Sequence, residues 1–183
     1  TTEIQLEMNL DARQGITQPA AAPIIDFNDA DTYNSATSLA VYDTLGNPVS
    51  LTYFFQKTAD GVWDVYATAN GSTVAGTPGA PAPITTITFA PDGSAPTAPA
   101  APISFDVPST TNSAGALTQP IVGVLFDVTS SPQFGSPFGV TDLSQDGFAA
   151  GQLTAIAVEN NGIVMARYSN GQSRPAGQGE LAN

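Results

Sequence analysis

The chain has 183 residues, 42% of them hydrophobic and 11% charged, with four Lys and Arg set against sixteen Asp and Glu for a formal net charge of −12. That length suits one ordinary domain with a real core, or one domain plus part of a neighbour. The acidity repels phosphate, so nucleic acid and anionic membrane are poor partners, and the absence of both Cys and His excludes disulfides, thiolate and imidazole catalysis, and zinc–sulfur or imidazole metal sites.

The first element is the alternating run TEIQLEMNL, with Ile4, Leu6, Met8 and Leu10 on one face and Glu3, Gln5, Glu7 and Asn9 on the other. Period two of this kind predicts a half-buried strand. From about residue 17 to 35 a Pro/Ala/Asp segment without helical period predicts a long loop. TSLAVYD and VSLTYFFQK follow, joined by TLGNP, where Gly46 and Asn47 can take positive φ in a tight hairpin connection. Asp60-Gly61 is the next turn, and GVWDVYATA continues the antiparallel meander.

Residues 70–120 thin to Ala, Pro, Thr and Gly. Short strands are expected at ITTITFA and PISFDV around the turn PDG, confined to edges or ends by the abundance of Pro. IVGVLFDV reads as a central buried strand, and SSPQFGSPFGVTDLSQDGFAAG as a long Gly- and aromatic-bearing loop. QLTAIAVENNGIVMARYS is a hairpin with Asn161-Gly162 at its tip, and Asn170-Gly171 turns the chain again. The class is therefore all-β: an antiparallel sandwich or flattened barrel of nine or ten short strands, with long Pro/Ala/Gly-rich loops and essentially no helix. Residues 1–150 are assigned to one domain, and 151–183 to a hairpin and strand that close it or lead into an adjacent domain.

Few groups could carry chemistry. Asp43, Asp60, Asp92 and Asp146 sit in turn contexts, where Asp serves the backbone. DFNDADTYN superficially resembles a calcium loop, but an EF-hand loop starting at Asp26 needs Gly at 31 and Glu at 37, and here these are Asp31 and Thr37. A solvated acidic loop is the simpler reading. Trp63 with Tyr53, Phe54, Phe55 and Tyr66 reads as core; a sugar-stacking platform is the alternative, and it requires Trp63 or a Tyr exposed on a flat face. No catalytic, cofactor-binding or metal-binding residues are assigned, and no cofactor is expected.

Three blocks carry a resemblance. DGFAAGQLTAIAVENNGIVMARYSNGQSRPAGQGELAN, from Asp146 to Asn183, resembles the signature stretch of bacterial flagellar hook proteins, in which a Gly-Tyr/Phe-x-x-Gly precedes a hairpin, Tyr-Ser-Asn-Gly-Gln and Leu-Ala-Asn. TSLAVYDTLGNPVSLTYFFQKTADGVWDVYA is similar to a second family block, and FGSPFGVTDLSQDG to the approach to the signature. Together they cover a little under half of the chain, in family order. The match departs at Gly179, where the family more often has an apolar residue, weakening the last strand or marking a bulge. The signature turn residues are Gly46, Asn47, Asn161, Gly162, Tyr168, Ser169, Asn170 and Gly171.

The resemblance implies a structural subunit, not an enzyme. It would be exported unfolded without a cleaved signal peptide and assembled outside the cell into the curved tube that joins motor to filament. Its partners would be copies of itself and other flagellar axial proteins, with no membrane insertion. The sequence is expected to be an outer β domain trimmed of assembling termini, and monomeric by itself. The alternatives are a rod or hook-cap component of the same apparatus, or a carbohydrate-binding or adhesin β module.

Overall fold

A computed structural model describes residues 1–178. Gly179 and the closing Leu181–Asn183 lie outside the described residues. The chain divides into two compact units, Thr1–Gly147 and a second that begins at Phe148.

The first unit carries strands β1 (Glu3–Asn9), β2 (Ser35–Tyr42), β3 (Pro48–Ala59), β4 (Val62–Ala69), β5 (Ser72–Thr73), β6 (Gly76–Thr77), β7 (Ala80–Pro81), β8 (Thr85–Phe89), β9 (Pro96–Ala98), β10 (Ile103–Val107), β11 (Ile121–Asp127) and β12 (Gly139–Gln145). The second carries β13 (Leu153–Val158), β14 (Ile163–Tyr168) and β15 (Ser173–Gln178). Among the described residues the sole helical element is a 3-10 turn, Ala30–Thr32. The all-β expectation stands. The strands outnumber the nine or ten expected because β5, β6, β7 and β9 are only two or three residues long, too short to leave a period, and because β12 falls in a segment expected to be a loop.

Two sheets face each other in the first unit. One has the order β10-β11-β1-β12, the other β2-β3-β4-β8-β9 with β5 added to β4. Alternation decides which side chains meet between them. Ile4, Leu6 and Met8 of β1 and Val124 and Phe126 of β11 pack against Val49, Leu51, Tyr53 and Phe55 of β3 and Trp63 and Val65 of β4. Each such side chain contributes about 1.5–3 kcal/mol on burial. All pairings are antiparallel except β1 with β11, which run parallel from Glu3↔Leu125 to Gln5↔Asp127.

β3 and β4 are buried on both faces, which accounts for the unbroken buried runs YFFQK and VYATA. Their second face is covered by the segment before β2. Ile24, Ile25, Phe27 and Tyr33 pack there on Phe54 and Tyr66. Gln56, 0% exposed, donates from Nε2 to the Ile24 and Thr32 carbonyls at 2.7 and 2.6 Å. The expected loop is thus a lid with its own small core.

Two expectations are corrected. Part of the long loop expected over 130–151 is β12, paired antiparallel to β1 from Ile4↔Gln145 to Asn9↔Gly139. Its sequence GVTDLSQ is mostly exposed, so it has no apolar rhythm of its own and takes strand form from β1's open edge. β11 is interior to its sheet but buried on one face only. Gly123 sits at φ 71° beside a register irregularity between Phe105 and Val107. The alternation restarts there, leaving Val122 and Leu125 exposed.

The second unit is a meander, β13-β14-β15, joined by antiparallel pairing throughout.

Candidate functional site

The same hairpin loop occurs four times among the described residues. In each, a residue accepts from the N–H three positions on and donates its own N–H to the carbonyl four positions on, with Gly at positive φ closing the turn. The pairs are Asp43/Gly46, Asn112/Gly115, Glu159/Gly162 and Tyr168/Gly171, with φ of 79°, 79°, 79° and 82° at the glycines. This is the three-residue loop of a type I turn with a left-handed Gly. Only Gly takes that position at no steric cost.

The signature residues occupy these loops. Gly46 and Gly162 are left-handed closers, and Asn47 is the residue whose carbonyl accepts from Asp43 N. Asn161 and Asn170 use their Oδ1 atoms to accept from Ile163 N and Gln172 N, both at 3.1 Å. Ser169 Oγ accepts from Gln152 N at 2.9 Å, and its own N–H donates to the Gln152 carbonyl at 2.8 Å. Tyr168 opens the last loop. The sequence signal Asn-Gly therefore reports Gly conformation with an Asn that braces the following N–H, in a loop one residue longer than the two-residue type. That shorter type is found at Asn70-Gly71, both at positive φ.

Two of the four loops lie side by side at one end of the first unit. Asp43 is buried. Its carboxylate accepts from Leu45 N and Asn47 N at 2.9 and 2.8 Å, Asn47 Nδ2 at 2.9 Å, and Gln119 N at 2.8 Å. Burial opposes its ionisation, but these donors outweigh it, led by Gln119 and Asn47, and its pKa is lowered. Asn112 Oδ1 accepts from Ala114 N and Ala116 N at 3.1 and 3.0 Å, while its Nδ2 donates to the Pro48 carbonyl at 3.4 Å. Thr118 Oγ1 accepts from Thr110 N at 3.0 Å, and Asn70 Nδ2 donates to Thr110 Oγ1 at 2.9 Å. This network locks two loops whose outermost apolar side chains, Leu45 and Leu117, are 63% and 66% exposed. Sequence reasoning named Gly46 and Asn47 and missed Asn112, Thr110 and Thr118. The tract STTNSAGALTQ carries no period, and the Asn-to-Gly spacing of Asn112 and Gly115 was its one signal.

The other chemistry-bearing side chains serve the fold. Trp63 is 0% exposed and donates from Nε1 to Gln133 Oε1 at 2.6 Å, so the exposed platform that the sugar-binding alternative requires is not formed by it. Lys57 is buried, donates to the Ala12 and Gln14 carbonyls at 2.9 Å each, and lies 5.9 Å from the Trp63 ring centroid. Arg13 grips Asp11 through Nε and a terminal nitrogen at 2.8 Å each, and that guanidinium holds the Asp11 carboxyl down to about 2. In the acidic loop, Asp26 Oδ1 accepts from Asn28 N, and Asp29 caps the 3-10 turn by accepting from Asp31 N. These carboxylates build turns.

The arrangement defines a class first: an all-β module whose buried polar groups brace turns and whose outer loops are held rigid. The chain belongs to the flagellar basal body protein FlaE D2 domain family, whose profile matches residues 9–148. It is 29% identical over 186 aligned residues to the flagellar hook protein FlgE of Salmonella typhimurium, covering 100% of this chain and 42% of that protein. It is 28% identical to FlgE of Escherichia coli over 188 residues, with the same coverage. The crystal structure of Helicobacter pylori flagellar hook protein FlgE2 superposes with TM-score 0.47 and 17% identity, over 79% of this chain and 31% of that one. The chain thus spans less than half the length of the curated relatives it matches.

Proposed function

We propose that this chain is part of a structural subunit of the bacterial flagellar hook, exported without a cleaved signal peptide and assembled into the curved tube between motor and filament. The observation that carries the proposal is the agreement of two spans: the family match over residues 9–148 coincides with the first compact unit, Thr1–Gly147, while proteins named flagellar hook protein align along the entire chain. The first unit is the outer β domain. The unit from Phe148 onward leads into the adjacent inner domain.

The chemistry of the surface supports this reading. With only 11% charged residues, the exposed loops are mostly Ala, Gly, Ser, Thr and Pro. Contacts between copies then involve few ion pairs that must break when neighbouring subunits shift as the tube bends. The partners are further copies of the same protein and other axial components. The signature turns hold the hairpins in the shape those contacts need, and no reaction is assigned.

The test is immunogold electron microscopy of flagellated cells with antibody raised against this chain. Gold confined to the short curved segment at the filament base is the expected outcome. Gold elsewhere on the envelope, or along the rod or filament only, overturns the proposal.

A further inference from the structure

We infer that the braced end of the first unit, with Leu45 and Leu117 at its tip, is a contact surface for a second copy of the same chain. The inference rests on the hook-subunit reading and names the surface through which one copy meets the next.

Three observations converge on it. Exposed Leu side chains on hydrogen-bonded loops lose little freedom on docking, and here both loops are fixed from beneath by Asp43 and Asn112. Charge is also sparse on this surface. Residues 44–56 and 107–126 contain no Asp, Glu, Lys or Arg, Asp43 is buried and consumed by four donors, and the exposed Asp106 just before the second tract accepts from Gly123 N at 2.7 Å. Because every copy carries a net charge of −12, like-charge repulsion opposes association wherever carboxylates face each other. An apolar tip with so few charges keeps that cost low.

The third observation is a contrast. On the outer face of the four-stranded sheet, exposed apolar residues sit among carboxylates. Leu125 pairs in register with Glu3. Val140 lies two residues before Asp142, itself opposite Glu7. Two copies meeting through that face would bring acids together. The Ala- and Pro-rich tract 75–102 is sparse in charge too, but it contributes none of the large exposed apolar side chains found at the tip.

The test uses the full-length protein, in a thiol-free background, carrying Leu45→Cys, Leu117→Cys, or Ser144→Cys as the control on the acidic face. Cells make hooks from each variant, and isolated hooks are treated with a short bismaleimide crosslinker. Several-fold more crosslinked dimer from Leu45→Cys and Leu117→Cys than from Ser144→Cys is expected. Loss of assembly confined to those two variants, with circular dichroism unchanged, supports the same assignment. Assembled hooks in which all three variants crosslink equally, or Ser144→Cys crosslinks more, overturn the contact surface and leave the hook reading intact. Absence of the unsubstituted protein from the hook fraction overturns both.

Discussion

Tyr53 of β3 stacks on Phe126 of β11, with ring centroids 4.6 Å apart and planes 9° from parallel. The pair is the closest aromatic bond between the two sheets of the first unit, and both side chains are fully buried. Phe126→Ala is expected to cost about 3–5 kcal/mol, because it removes the stack and leaves a cavity in a dense core. Chemical denaturation would measure it; a loss under about 1 kcal/mol would mean the sheets close without this contact. Tyr53→Phe should behave oppositely. The Tyr53 hydroxyl has no partner among the described residues, and burial raises its pKa. Its removal is expected to be neutral or slightly stabilising.

Gly93 sits at φ 64° with the Gln133 carbonyl oxygen occupying the space a Cβ would need. Its own carbonyl accepts from Gln133 N at 2.8 Å, and Gln133 holds the Trp63 indole. Gly93→Ala therefore strains the backbone and displaces Gln133 together, at a cost of about 1–3 kcal/mol. Trp63 is the only Trp in the chain, so its fluorescence reports the event directly. Emission that stays unchanged in Gly93→Ala would disprove the linkage.

Asp146 binds the start of β1, accepting from Thr2 N at 2.7 Å and Glu3 N at 3.0 Å, and from the Thr2 hydroxyl. Burial works against its charge, but these hydrogen bonds prevail and carry its pKa down to about 2 from 3.8. A depressed folded-state pKa means stability that is complete above the unfolded value and lost as pH falls through the folded one. The contribution should fade between about pH 4 and pH 2. Asp146→Asn should be less stable than the parent at neutral pH and converge with it near pH 2. Parallel stability curves across that range would rule the latch out.

Glu7 and Asp142 are exposed and face each other in register on β1 and β12. Like charges directly opposite destabilise a strand pair, by about 0.2–1 kcal/mol. Asp142→Lys should raise the unfolding midpoint, and the gain should shrink as salt is added. A gain independent of ionic strength would point to a cause other than the charge.

Asp43→Ala strips four donors of their acceptor at the braced end. The expected loss is about 1–3 kcal/mol. Hydrogen exchange should quicken at Leu45, Asn47 and Gln119; quickening spread evenly over the unit would contradict a local brace.

What the sequence made legible was local. β1, β2, β3 and β4 announce themselves by alternation and by Gly-bearing turns a few residues away, and the structure places Ile4, Leu6 and Met8 inward as their spacing implies. The rest depends on distant partners. β12 is a strand because β1 offers it an edge, and nothing within GVTDLSQ records that. The segment before β2 lacks a period, yet Ile24, Ile25 and Phe27 bury the second face of β3 and β4. Those three side chains, spread among Pro and Asp, were the trace of a lid. At the braced end the Asn-Gly and Gly-Asn signals marked turns, but the contact between the two loops runs through Asp43 and Gln119, 76 positions apart.

The placement of β1 between β11 and β12 also fixes a timetable. Ile4 aligns with Phe126 on one side and Gln145 on the other, so the first strand has no neighbours until nearly the whole unit exists. Pairings this remote along the chain form slowly, since closing the loop precedes any reward. A chain that emerges N-terminus first, as any nascent polypeptide does, would leave β1 waiting, with its Glu and Gln row toward water, until residue 145 had emerged. The four-stranded sheet would then close last, against a facing sheet whose strands β2, β3 and β4 pair locally and can form well before it.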